Sequence, residues 1–238
     1  MASIIRLYVD HPLGVGQSVP LNREQSHYLF GVMRRGVGEV LELFNGRDGE
    51  WLARVVQAGK RNAILLCESN SKPMMLPPDL WMMFAPIKKA RTDFIVEKAT
   101  EMGAAQILPV QTDFTNSERI RQDRLQNHSV EAAEQCGSTF VPPVMELQKL
   151  SKLLDGWDDR HIMFCDENRV GEAVALSQQP GPWAILIGPE GGFSPAERER
   201  LEAMPQAQGV SLGPRILRAD TAAVAALALW QTSLGDWQ

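Results

Sequence analysis

Ile185-Leu186-Ile187-Gly188-Pro189-Glu190-Gly191-Gly192-Phe193-Ser194 is the stretch on which the fold turns: an apolar strand breaks there into a glycine loop carrying one carboxylate. The chain leaves that loop through Ser194-Pro195-Ala196-Glu197, a capping box with proline at the first helical position, so a helix is expected directly after it. A second break of the same kind lies at Ser211-Leu212-Gly213-Pro214-Arg215-Ile216-Leu217-Arg218, where a short apolar segment runs into Gly-Pro and then into a helical tail. Two such loops so close in sequence are expected to wall one pocket.

Local chemistry limits what that pocket holds. Phosphate-cradling loops present backbone N–H groups and usually a Lys or Arg, because the ligand is an anion. Here the loop carries Glu190, which repels a pyrophosphate, and its spacing matches neither the dinucleotide glycine pattern nor a P-loop. The helix cap occupies the N–H groups that an anion would use. A neutral or cationic ligand is expected. The plainer reading, that Gly191 and Gly192 only turn the chain, is weakened by the partner loop.

Working outward, the alternation of strand and helix beyond residue 80 predicts an α/β domain with a parallel sheet. Strands are expected at Leu80–Pro86, Ala105–Val110, His161–Cys165, Trp183–Ile187 and Val210–Leu212, and helices at Asp93–Met102, Asp123–Cys136, Pro195–Met204 and Ala219–Leu234. Both Gly-Pro loops then lie at the carboxyl ends of strands, where such sheets bind ligands. The amino-terminal part reads differently. Ile4–Val9, Val40–Phe44, Trp51–Ala58 and Ala63–Glu68 are short β segments separated by turn residues, with a helix over Asn22–Arg34 capped by Asn22 and stopped by Gly36. This pattern predicts a small β-barrel with an inserted helix. The proline-rich Asn70–Asp79 stretch reads as a stiff linker, giving domains at 1–72 and 80–238 joined by 73–79.

Composition bounds the function classes. The chain has 238 residues, 44% hydrophobic and 22% charged, as in an ordinary globular protein. No run approaches a membrane span and the amino terminus lacks a signal pattern, so a cytoplasmic location is expected. Cys67, Cys136 and Cys165 share no short motif, and His11, His27, His128 and His161 form no metal-like cluster, so neither a disulfide framework nor a metal site is expected. The formal charge is -5, yet residues 1–72 carry nine Lys and Arg against seven Asp and Glu. Nucleic-acid binding depends on such local excess rather than on the total.

Four ordered motifs carry a family resemblance: Lys98-Ala99-Thr100-Glu101-Met102-Gly103, Glu131-Ala132-Ala133-Glu134-Gln135-Cys136-Gly137, Ile187–Phe193, and Leu212-Gly213-Pro214-Arg215-Ile216-Leu217-Arg218-Ala219-Asp220-Thr221-Ala222. The chain resembles the ribosomal RNA small subunit methyltransferase E family, of the SPOUT class, over nearly its whole length. Arg6-Leu7-Tyr8-Val9 and the His27–Gly36 segment look like that family's PUA-like RNA-binding barrel. The resemblance implies methylation of N3 of one uridine in 16S ribosomal RNA of the small subunit, with S-adenosylmethionine as methyl donor. It also implies a carboxy-terminal trefoil knot, which no general chain rule proposes, and a homodimer with the site built across its interface. A sulfonium ligand without phosphate suits a loop that bears Glu190.

Site residues follow from the same resemblance. Ile187, Gly188, Pro189, Glu190, Gly191, Gly192, Leu212, Gly213, Ile216, Leu217, Arg218 and Ala222 are expected to hold the cofactor. A side chain at Gly191 is expected to fill space that the adenosine needs. Uridine N3 must lose its proton to attack a methyl group, and Asp220 and Glu190 are the candidate bases, with Arg218 placed to stabilise charge on the uracil oxygens. Asp220 stands where many relatives carry Glu, and it reads equally well as the cap of the last helix. Arg6, Arg34, Arg35, Lys88, Lys89 and Arg91 are candidate phosphate contacts, each alternatively a solvated surface charge. Lys98 is a further substrate candidate, or the local ion-pair partner of Glu101. Gln135 is another, although Ser138 and Thr139 follow it where some relatives have Arg. Two rival functions stay open: an RNA-binding assembly factor without turnover, and a nucleotide-dependent oxidoreductase, which Glu190 disfavours.

Overall fold

The computed structural model describes residues 4–116, 119–172, 176–177 and 179–237. It divides into two units, Met1–Leu76 with Ala133–Val141, and Pro77–Ala132 with Pro142–Gln238. The expected linker at 73–79 brackets the first division, but residues 133–141 join the amino-terminal unit instead of the domain in which the sequence reading places them.

In the first unit the chain forms β1 Arg6–Tyr8, β2 Ser18–Pro20, α1 Arg23–His27, β3 Val40–Phe44, β4 Glu50–Gln57 and β5 Ile64–Lys72. The sheet runs β1-β3-β4-β5-β2, with β1 parallel to β3 and the other pairs antiparallel. Its end strands do not pair with each other, so the expected barrel is a curled half-barrel. Leu29, Leu41, Leu43, Val55 and Leu65 close its core at 0–1% exposure. Asn22 caps α1 as expected: its Oδ1 accepts from Gln25 N at 2.8 Å while Gln25 Oε1 accepts from Asn22 N at 3.1 Å. The helix does not run unbroken to Arg34, its expected end. It widens into a π-helical turn, Tyr28–Val32, capped by Met33, after which Arg34 adopts φ +53° while Arg35 N donates to the Leu29 carbonyl. A left-handed residue closed by that bond terminates the helix two positions early.

Arg6 explains why residues 133–141 belong here. Its Nε donates to Glu50 Oε2 at 2.6 Å, Nη1 to the Ala133 carbonyl at 2.6 Å and Nη2 to the Ser138 carbonyl at 2.6 Å, with the guanidinium 3.7 Å over the Phe44 ring. Glu134 Oε1 accepts from Tyr8 N at 2.6 Å. Every polar end of Arg6 is thus engaged inside the unit, which corrects its reading as a phosphate contact. Local sequence could not show this, because the partners lie 44 to 132 residues away.

The second unit is built on a six-stranded sheet. Its elements are β6 Leu80–Phe84, α2 Lys89–Glu101, β7 Gln106–Gln111, α3 Gln122–Cys136, whose last turn from residue 133 belongs to the first unit, β8 Gln148–Lys149, α4 Leu150–Asp155, β9 His161–Cys165, β10 Trp183–Ile187, α5 Pro195–Glu202, β11 Ala207–Val210 and α6 Ala219–Ser233. The strand order is β11-β9-β10-β6-β7-β8 and every pairing is parallel. β10 shows how the apolar run works. Trp183, Ile185 and Ile187 face the core that includes Ile95, Ala99, Ala223 and Leu227 of α2 and α6, whereas Ala184 and Leu186 face the one with Leu150, Leu154 and Leu201 of α4 and α5. Alternate residues enter opposite layers, so the strand is apolar throughout. β8 and α4 went unread in the sequence, being short elements of mixed polarity.

Candidate active site

The chain runs from β6 outward to β7 and β8, then returns to β9 on the other side, and β10 fills the gap between β6 and β9. Crevices form at the carboxyl ends of strands at such reversals. A cavity of about 320 Å³ lies there, walled by the segments after β9, β10 and β11 and by the start of α6. That volume is at the lower end for small-molecule sites.

Eleven of the twelve residues expected to hold the cofactor line this cavity: Ile187, Gly188, Pro189, Glu190, Gly192, Leu212, Gly213, Ile216, Leu217, Arg218 and Ala222. Gly191 does not. A Cβ there would meet the Phe114 side chain at 3.6 Å, an ordinary contact away from the cavity wall, which corrects the expectation that Gly191 guards the ligand space. Its neighbour has that role in backbone terms. Gly192 adopts φ +69°, and a Cβ on it would collide with the Glu167 carboxylate on the opposite wall. The Gly192 N–H closes the loop on the Pro189 carbonyl at 2.9 Å, and the predicted box at Ser194 and Glu197 forms, with Ser194 Oγ also donating to Asp113 Oδ2 at 2.5 Å.

Sequence reading missed the wall after β9, namely Cys165, Asp166, Glu167 and Val170, as well as Val210, Arg215 and Ala219. The usable signal was Asp166-Glu167 at the end of a predicted parallel strand. Asp166 is nearly buried. Its Oδ2 accepts from Arg198 Nε at 3.0 Å and its Oδ1 from Asn168 N at 3.1 Å, which fixes this wall against α5. Desolvation at the cavity wall pushes the Cys165 thiol up to about 12.

Arg91 ties the mouth together. From the first turn of α2 its Nη1 donates to Glu190 Oε1 at 2.7 Å, and its Nε stands 3.6 Å from Asp220 Oδ2. Expected as a phosphate contact or a solvated surface charge, Arg91 is engaged by the two candidate bases. Asp220 lies just outside the cavity wall, in the first turn of α6, with Oδ1 accepting from Thr221 N at 3.0 Å. It is not the helix cap, since Arg218 occupies that position without a side-chain bond.

The remaining substrate candidates divide. Lys88 is exposed at the start of α2, Arg34 is exposed in the first unit, and Gln135 is exposed on the last turn of α3. Arg35 pairs with Glu39 at 3.0 Å. Lys98 Nζ reaches Glu101 at 2.6 Å, the local ion pair that its spacing allowed. Among the described residues no group of His, Cys, Asp and Glu is arranged to hold a metal ion, and no helix is long and apolar enough to cross a membrane.

Comparison with known proteins meets this geometry. A family model described as an RNA methyltransferase domain matches residues 74–231, and one described as an RNA methyltransferase PUA domain matches 21–66. Ribosomal RNA small subunit methyltransferase E of Synechocystis is 30% identical over 231 residues, spanning 94% of this chain and 76% of the relative. The chain belongs to the ribosomal RNA small subunit methyltransferase E family. The Rickettsia conorii member is 29% identical over 228 residues, covering 94% of this chain and 93% of its own. In structure, the Neisseria gonorrhoeae member bound to S-adenosyl methionine superposes with a TM-score of 0.88 at 29% identity, covering 99% of this chain and 100% of that one. Membership of this methyltransferase family is consistent with a glycine loop that carries a carboxylate and walls a cavity.

Proposed function

We propose that the protein methylates N3 of a uridine in 16S rRNA, using S-adenosylmethionine bound in the cavity at the ends of β9, β10 and β11. The observation that carries the reading is the character of that cavity: apolar Ile187, Leu212, Leu217 and Ala222, acidic Glu167 and Glu190, and the cations Arg215 and Arg218. A ligand with a sulfonium, an ammonium and a carboxylate finds opposite charges here, and no phosphate cradle competes. The bound cofactor supplies an electrophilic methyl group.

The chain's own residues supply the rest. N3 becomes nucleophilic when its proton passes to a carboxylate; the new C–N bond then forms as the S–C bond breaks. Asp220 is the better base of the two. Glu190 Oε1 is already engaged by Arg91 at 2.7 Å, whereas Asp220 Oδ2 stands 3.6 Å from the same guanidinium and is oriented through Thr221 N. Arg218, at the head of α6, is placed to meet the negative charge that develops on the uracil oxygens. An N3 edge used in pairing must be exposed first, so the target is an unpaired or extruded uridine.

In this reading the first unit binds RNA, the protein acts as a cytoplasmic homodimer, and the loop after β11 lies in a trefoil knot; the placement of β10 between β6 and β9 before the chain returns to β11 supports the last point. The test is incubation with labelled S-adenosylmethionine and small ribosomal subunits or rRNA lacking the mark, followed by mass spectrometry. N3-methyluridine is the expected product. Binding to rRNA without any methyl transfer would make the chain a turnover-free assembly factor.

A further inference from the structure

We propose that a band of cations on the second unit, leading away from the cavity mouth, binds the phosphodiester backbone of the RNA substrate. Two depressions of about 320 and 590 Å³ adjoin there and share Arg119 and Ile120. Lys89, Arg121 and Arg124 line the first and Lys149 and Lys152 the second, with Arg119 common to both. Glu146 is the only carboxylate among the described residues lining either one. In a chain of formal charge -5 this is a concentrated excess of the opposite sign.

The cations are not equally committed. Arg124 donates to Asp93 at 2.6 Å and Arg121 to Asp123 at 2.6 Å. Lys89, Lys149 and Lys152 are exposed and form no ion pair among the described residues. Long exposed ammonium groups over a groove are suited to a ligand that offers a row of anionic oxygens. The band also has a direction. Lys89 begins α2, and two residues further on Arg91 holds Glu190 in the cavity wall. The band thus begins on the helix turn that carries Arg91, and with it Glu190, at the mouth where the target base must enter. This inference rests on the RNA methyltransferase reading and adds where the substrate lies. RNA is favoured over an acidic protein because the base to be modified is itself carried on a polyanion.

The test is the full-length Lys89→Glu/Lys149→Glu/Lys152→Glu variant, with protein-free small-subunit rRNA as the probe. Fluorescence anisotropy is expected to show Kd raised at least about tenfold, and the slope of log K against log salt reduced by about 2, as for the loss of three contacts to a single strand. The thermal midpoint and the S-adenosylmethionine affinity stay at wild-type values, and methyl transfer loses in KM rather than in kcat. A wild-type Kd and salt slope in the variant would overturn the band. Competition by polyglutamate equal to that by RNA, charge for charge, would overturn RNA as its ligand. Absence of methyl transfer by the wild-type chain, with the binding difference intact, would instead remove the functional reading and leave the anion-binding surface standing.

Discussion

At the scale of single residues, the two adjacent glycines of the loop after β10 separate backbone need from ligand need. Gly192→Ala forces an L-residue into the left-handed region, at about 1–2 kcal/mol, and drives its Cβ into Glu167. Calorimetry is expected to show S-adenosylmethionine affinity reduced at least about tenfold, the equivalent of 1.4 kcal/mol. Gly191→Ala should stay within about twofold, because its Cβ only touches Phe114. Asp220→Asn is expected to lower the single-turnover methylation rate by about 10²- to 10⁴-fold with cofactor affinity unchanged. Glu190→Gln, at a half-exposed side chain that loses its ion pair with Arg91, should have a far smaller effect. Nearly all the loop residues that sequence singles out line one cavity, since a Gly-Pro break after an apolar run is a local signal. It could not tell Gly191 from Gly192, because φ and the identity of the facing side chain are tertiary facts. Nor could it see Arg91 between two acids, from positions 91, 190 and 220.

Among the elements, most long ones are legible in sequence, although α2 begins four residues before its expected start and β5 runs four residues past its expected end into the proline-rich stretch. The bounds of β3, β9 and β10 fall where the apolar runs begin and end, and α3, α5 and α6 lie within two residues of their expected spans. β2, with three residues, β8, with two, and α4, with six, are too short for periodicity to register. β1 is short as well, and beside its parallel pairing with β3 it is anchored through the Arg6 side chain. Arg6 bonds Glu50, whose side chain is 0% exposed. Burial alone would raise the Glu50 carboxyl, but hydrogen bonds from Arg6, Ser71 and Lys72 outweigh it and hold the group below its ordinary value of 4.5. A depressed carboxyl contributes stability above its unfolded value, and that contribution is lost as pH falls through the folded value. Urea unfolding followed by the first unit's signal should therefore show a midpoint that falls below about pH 4.5 in the wild type. Glu50→Gln, which strands the buried guanidinium, is expected to cost about 3–5 kcal/mol at neutral pH and to flatten that acid dependence.

For the whole molecule, the division into units does not follow the order of the chain. Carbonyls at Ala133 and Ser138, far along the sequence, satisfy Arg6 in the first strand. A fragment ending at residue 76 lacks them and leaves a guanidinium beside Phe44 without most of its acceptors. Such a fragment is expected to show no cooperative thermal transition by circular dichroism, whereas one carrying residues 133–141 in trans as a peptide should regain part of it. A proline-rich stretch lies at the division near residue 76, but nothing local marks the return, because the acceptors for Arg6 there are backbone carbonyls that any sequence supplies. During vectorial synthesis the first strand emerges from the ribosome long before its anchors exist. The half-barrel must wait, unfinished, until the chain has been extended past residue 141, so the amino-terminal unit completes its assembly only after part of the catalytic unit has already been made.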